Sequence, residues 1–169
     1  MAKRSWFIAT LFFTLFSLLL TVSCSKKSVK RGYLHKKALE GETNLSEEAI
    51  EEKVRAELHM FQYNHVYFDF DSSVLKEEAR ILIKEKERWL TYNPAEKVII
   101  QGHSDERGTV EYNLALGDRR AKSVKAYLVN LGISPSRLSS ISYGEEQPLD
   151  KRHNEEAWAT NRRAQFVIK

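Results

Sequence analysis

A single cysteine, Cys24, is present, so no disulfide can form within the chain and its fold has to be held by an apolar core. Net charge is also scarce: 27 Lys and Arg stand against 23 Asp and Glu, a balance of +4. Lys3 and Arg4 belong to the extreme N-terminus, and from Cys24 onward the balance is only +2, which excludes a nucleic-acid binder. No serine or cysteine stands in a nucleophile context after residue 24. His103, Asp105, Asp69 and Asp71 match no metal-ligand spacing, so neither a metal nor a cofactor is expected. Long apolar runs are limited to one, at the start.

That run, Trp6 to Val22, follows Lys3 and Arg4 and reads as a secretory signal, with an uncleaved membrane anchor as the alternative. Small Ser23 and then Cys24 close it in a pattern that resembles a bacterial lipobox, in which the thiol is lipidated and the chain is cut before it. Thr21 stands where leucine is usual. Ser25 to Lys37, SKKSVKRGYLHKK, has six basic residues, no acid and too little apolar surface to fold, and reads as a tether. The organisation expected is therefore a signal over 1–23, a lipidated N-terminus and tether over 24–45, and one domain over 46–169 whose core begins near residue 64.

Within that domain Ser46 caps a helix to Met60, with Glu47 and Glu48 in its first turn and a thin apolar edge at Ala49, Val54, Leu58 and Phe61. His65 to Asp71 alternates as a half-buried strand. Ser72 or Ser73 then caps a helix over Val74 to Tyr92 with an apolar stripe through Leu75, Ala79, Leu82, Ile83, Lys86, Trp89 and Leu90, stopped by Asn93-Pro94. Lys97 to Gln101 is a strand buried on both faces. Leu138 to Tyr143 is a third strand, Glu155 to Thr160 a short helix, and Ala164 to Ile168 the last strand, preceded by an exposed-looking pair, Arg162-Arg163. The sum is β-α-β-α-β-α-β, an α/β sandwich with a mixed four-stranded sheet packed by helices; its strand order is not readable from sequence.

The chain is organised around Ile100 to Ala121, IQGHSDERGTVEYNLALGDRRA, where a strand breaks into a polar turn and enters a helix capped by Thr109. At about 100° per residue, Asn113, Leu116, Gly117 and Arg120 share the inward face that continues as Val124, Tyr127, Leu128 and Leu131. Gly117 leaves a gap in it. A buried Arg120 needs a counter-charge, with Asp105 and Glu106 nearest. Two readings follow: a structural ion pair that pins the loop to the helix, or an Arg and an acid held apart to grip a zwitterion.

GHSDERGTVEYNLALGDRRA, with VYFDFDSSVL before it and SYGEEQP and NRRA after it, closely resembles the OmpA-like domain in the version found in peptidoglycan-associated lipoproteins. The resemblance runs from about Val66 to the C-terminus. It implies a non-catalytic module that binds the diaminopimelate residue of peptidoglycan stem peptides. Its two principal ligand residues fall on Asp105 and Arg120, with Asp71, Phe70, Arg107 and Leu116 also lining the pocket. It further implies an outer-membrane lipoprotein anchored through lipid on Cys24, with the domain in the periplasm, and a TolB-like periplasmic partner that binds across the same surface within a Tol-Pal envelope system. Two other classes remain as alternatives: a cell-wall hydrolase using carboxylates near a histidine, and an interaction domain that uses the SYGEEQP loop and Arg162-Arg163.

Overall fold

A computed structural model describes residues 46–169; the expected signal, Cys24 and the basic tether lie outside the described residues. Helix α1, Glu47–Tyr63, starts where the sequence places it, with the Ser46 hydroxyl accepting from the Ala49 N–H at 3.4 Å, and runs almost a turn beyond Met60. It rests on the domain through Phe61, which is stacked on Trp89 (centroids 4.2 Å apart) and edge-on to Phe166. Lys86, embedded in an apolar stripe, has a use here. Its ammonium donates to the Phe61 carbonyl at 2.5 Å, at the negative end of α1, and lies over the Phe61 and Phe166 rings. Burial pushes its pKa down to about 7.

Strand β1 is only Val66–Tyr67, shorter than the alternation of His65 to Asp71 suggests. Phe68 still donates to the Arg162 carbonyl, but the chain then turns away, and Asp71 adopts a left-handed φ of 51°. Helix α2, Glu77–Tyr92, begins at Lys76 without a side-chain cap; the Ser72 hydroxyl is spent on the Val74 N–H instead, closing a local turn that delays the helix. Strand β2 is Val98–His103, and α3 is Val110–Asn130, with the Thr109 hydroxyl accepting from the Tyr112 N–H at 3.2 Å. Gly132, at φ 105°, follows its C-cap. A short 3-10 turn, Pro135–Arg137, leads to β3, Leu138–Gly144; α4, Glu155–Asn161, and β4, Arg163–Ile168, complete the chain.

The sheet order is β1-β4-β2-β3, so the last strand inserts between the first two, antiparallel to both, while β2 and β3 run parallel. Helices α2 and α3 cover one face, where Ile83, Leu90, Ala121, Val124 and Leu128 meet Val98, Ile100, Ala164 and Phe166. Strand β2 is fully buried only on that face; Ile99 and Gln101 on the other are half-buried. Packing of α3 on β2 is close enough to involve bare backbone: a Cβ built on Gly117 would lie 2.3 Å from the Ser142 hydroxyl and 2.8 Å from the Gly102 carbonyl oxygen. The gap expected at Gly117 is therefore closed by the sheet, and no ligand passes there.

Candidate functional site

The polar turn between β2 and α3, the turn after β1 and the start of α4 converge at one end of the sheet. All six residues expected to bind ligand, Phe70, Asp71, Asp105, Arg107, Leu116 and Arg120, line a single cavity of about 220 Å³ there, together with Gly108, Tyr112 and Asn113. Among the described residues larger concavities lie elsewhere: one of about 500 Å³ along β1, one of about 390 Å³ between α3 and β3, and one of about 330 Å³ between α1 and α2. The smaller one is the candidate because it alone gathers buried opposite charges beside a helix N-terminus.

Arg120 is fully buried, and its partners differ from those the sequence suggests. Neither Asp105 nor Glu106 pairs with it. Its guanidinium donates to three backbone carbonyls: Nε to Ser72 at 2.8 Å, Nη1 to His103 at 2.8 Å and Nη2 to Asp69 at 3.0 Å. Burial pulls its pKa to about 10, partly offset by the Asp105 charge, so it stays cationic at neutral pH. A planar fork matches three carbonyls presented by the turn after β1 and the end of β2, which an ammonium could not do. The turn after β1 is held in place by this residue.

Asp105 is also nearly fully buried, and faces two arginines: Arg107 binds it through Nε at 3.2 Å and Nη2 at 2.8 Å, and Arg162 through Nη1 at 3.2 Å. Burial alone would raise the carboxyl; the hydrogen bonds from Arg107 and Arg162 outweigh it and hold the pKa below its ordinary value. Arg162 and Arg163, expected to be exposed, are both buried. Arg162 also donates to the Phe68 carbonyl and to Glu155, and Arg163 reaches the Gln147 carbonyl, so both are committed to joining loops rather than displayed to a partner. Glu106 instead accepts from the Trp158 indole at 2.8 Å and pairs with His153. Phe70 is exposed, and the Tyr112 hydroxyl donates to Asp71. Asn113 donates to the Arg107 carbonyl and to Glu145, which ties the mouth of the site to the loop after β3.

Trp158 and Tyr112 were not legible as site residues. Trp158 stacks on Arg107 at 4.3 Å from far along the chain, and no spacing signals it. Among the described residues no cluster of His, Cys, Asp and Glu is arranged to hold a metal. His103 is instead a buried core residue, stacked on Tyr143 with neither ring nitrogen hydrogen-bonded. Burial and the nearby Arg163 charge push it down to about 3, and burial with Arg163 and Lys86 pushes His65 to about 4.

Both histidines bind protons less readily folded than unfolded. As pH falls through about 6.5 the unfolded chain takes up protons that the folded chain refuses until about pH 4 and then 3, so the contribution of the two histidines to stability is complete above 6.5 and drains below it. The limiting slope for two protons is about 2.7 kcal/mol per pH unit. Urea unfolding between pH 6 and 4.5 should show a slope approaching this, roughly halved in His103→Phe; a flat profile for the parent would refute it.

The fold and site together define a two-layer α/β binding domain with a charged end cavity. Residues 67–162 match the OmpA family, and the chain belongs to that family. Peptidoglycan-associated lipoprotein from Pseudomonas aeruginosa is 48% identical over 100 residues, 59% of this chain and 59% of that protein. The protein of the same name from Haemophilus influenzae is 46% identical over 103 residues, 61% of this chain and 67% of that one. The chain thus spans about three-fifths of the length of the Pseudomonas relative. Among solved structures, the peptidoglycan-associated lipoprotein from Burkholderia pseudomallei superposes with a TM-score of 0.60 at 42% identity, over 62% of this chain and 89% of that one. The C-terminal domain of Helicobacter pylori MotB shares the fold alone, at TM-score 0.59 and 19% identity over 63% of this chain and 84% of that one.

Proposed function

We propose that this protein is a lipoprotein of the outer membrane that holds peptidoglycan non-covalently and does not cleave it. One observation carries the reading: six residues from three separate segments meet in one cavity in which an acid and an arginine are both buried. The ligand is the free zwitterionic end of a diaminopimelate side chain. Asp105 takes its ammonium. Three of the five guanidinium N–H groups of Arg120 serve carbonyls, which leaves one on each terminal nitrogen for the ligand carboxylate. Leu116 and Phe70 wall the stem, and the backbone N–H groups after Gly108 suit a second carboxylate. The relatives named peptidoglycan-associated lipoprotein support the same ligand class. A TolB-like periplasmic protein is the proposed partner in a Tol-Pal envelope system, binding across this surface.

Incubation of the full chain with purified sacculi tests the reading. The protein should co-sediment, be displaced by excess free diaminopimelate and release no soluble fragments; fragment release would make it a hydrolase. Anchoring rests on Cys24. Cys24→Ala should release or mislocalise the protein, because one acyl chain holds a protein only marginally whereas several hold it firmly. Intact mass of the native protein showing an unmodified chain from Met1 would refute the lipid on Cys24 and favour the uncleaved membrane anchor instead.

A further inference from the structure

A carboxylate offers four lone-pair positions, and all four of Asp105 are taken. Oδ1 accepts from the Arg107 backbone N–H at 3.1 Å and its Nε at 3.2 Å; Oδ2 accepts from Arg107 Nη2 at 2.8 Å and Arg162 Nη1 at 3.2 Å. An incoming ammonium therefore has no place on Asp105 until one arginine leaves. Arg162 cannot leave cheaply: its side chain is 9% exposed and also holds the Phe68 carbonyl and Glu155. Arg107 can. Its side chain is 30% exposed, and its Nη1 already reaches Glu155, which is 64% exposed, at 3.3 Å.

The Arg107 guanidinium lies between two aromatic rings, 4.1 Å from the Phe70 centroid and 4.3 Å from that of Trp158. Two π-faces over a carboxylate form a site for a cation of any origin. We propose that the slot between Phe70 and Trp158 on Asp105 is a cation site that Arg107 fills in the free protein, and that a ligand ammonium binds by displacing the Arg107 side chain toward Glu155. Arg107 is then a competitor built into the chain, and the site selects ligands by a charge able to replace a guanidinium. The proposal rests on the peptidoglycan reading. It adds that the ligand-competent state is a fraction of the free protein, which lowers apparent affinity by that fraction and caps the binding rate at the rate of opening.

Stopped-flow fluorescence on the full chain with Trp6→Phe and Trp89→Phe, which leaves Trp158 as the sole indole, reads the exchange directly. With free diaminopimelate the observed rate should level off as concentration rises. With Arg107→Ala added, it should rise linearly, exceed the parent at least tenfold at the highest concentration and accompany at least threefold tighter binding. Pimelate, of the same length without amines, should give no Trp158 signal. Equal rates in the two proteins, weaker binding by Arg107→Ala, or a pimelate response equal to that of diaminopimelate would overturn the exchange. Calorimetry separates the two ideas: if the parent binds no diaminopimelate, the peptidoglycan reading falls and the exchange with it, whereas a parent that binds without the Arg107 effect sinks only the exchange.

Discussion

Arg120→Ala should cost about 3 to 6 kcal/mol of folding stability, more than a binding-site substitution ordinarily does. The side chain is wholly buried and satisfies the carbonyls of Asp69, Ser72 and His103, which belong to the turn after β1 and the end of β2. Removing it orphans one buried and two part-buried acceptors at about 1 to 3 kcal/mol each, less whatever water recovers at the two nearer the surface. The turn after β1, with Phe70 and the left-handed Asp71, would lose its anchor, so the cavity should open as well. Lysine should rescue little, since one ammonium cannot face three carbonyls in a plane. A urea midpoint for Arg120→Ala equivalent to less than about 1 kcal/mol of loss would contradict this assignment. Loss of binding in that variant is accordingly evidence about the site only if folding is measured beside it.

Gly102→Ala is the second large effect. A Cβ at Gly102 would stand 1.9 Å from the Gly117 carbonyl oxygen and 2.7 Å from its carbon, both backbone atoms of a helix packed across the strand. No side chain can rotate away, so α3 has to lift from β2 and carry Ala121 and Val124 out of contact with the sheet. We expect a loss of at least about 3 kcal/mol or failure to fold, the upper end of overpacking effects. Gly117→Ala should be milder, because its worst contact is the Ser142 hydroxyl, yet still damaging against the Gly102 carbonyl oxygen at 2.8 Å. Thermal melts followed by circular dichroism decide the matter: a Gly102→Ala midpoint within a few degrees of the parent would show that the two backbones are not in contact.

Arg120 and Gly117 mark how much of the site is legible in the sequence. Periodicity places Arg120 and Gly117 on the inward face of α3, and Thr109 fixes its start, because both signals are local. Periodicity carries no information about what faces that side. A carboxylate and three carbonyls satisfy a buried guanidinium equally well, and a glycine gap can admit a ligand or another backbone. Ser72 looked like a helix cap because hydroxyls cap helices, but the same hydroxyl can close a turn two residues long. Arg162-Arg163 looked exposed because paired arginines usually are; only the insertion of β4 beside β1, a long-range pairing, buries them. The six cavity residues were legible through family resemblance, whereas Trp158 entered the site from a helix no local pattern ties to it.

The most direct test of the binding site is Asp105→Asn, which keeps the shape of the side chain and removes its charge. Folded variant and parent should be titrated against purified sacculi with free diaminopimelate as competitor. An uncompensated ligand ammonium should weaken binding by 2 kcal/mol or more, about 30-fold or greater, while the circular dichroism spectrum is retained. A folded Asp105→Asn protein that binds sacculi as tightly as the parent, with the same sensitivity to diaminopimelate, would contradict the assignment of the ammonium to Asp105 and with it the site.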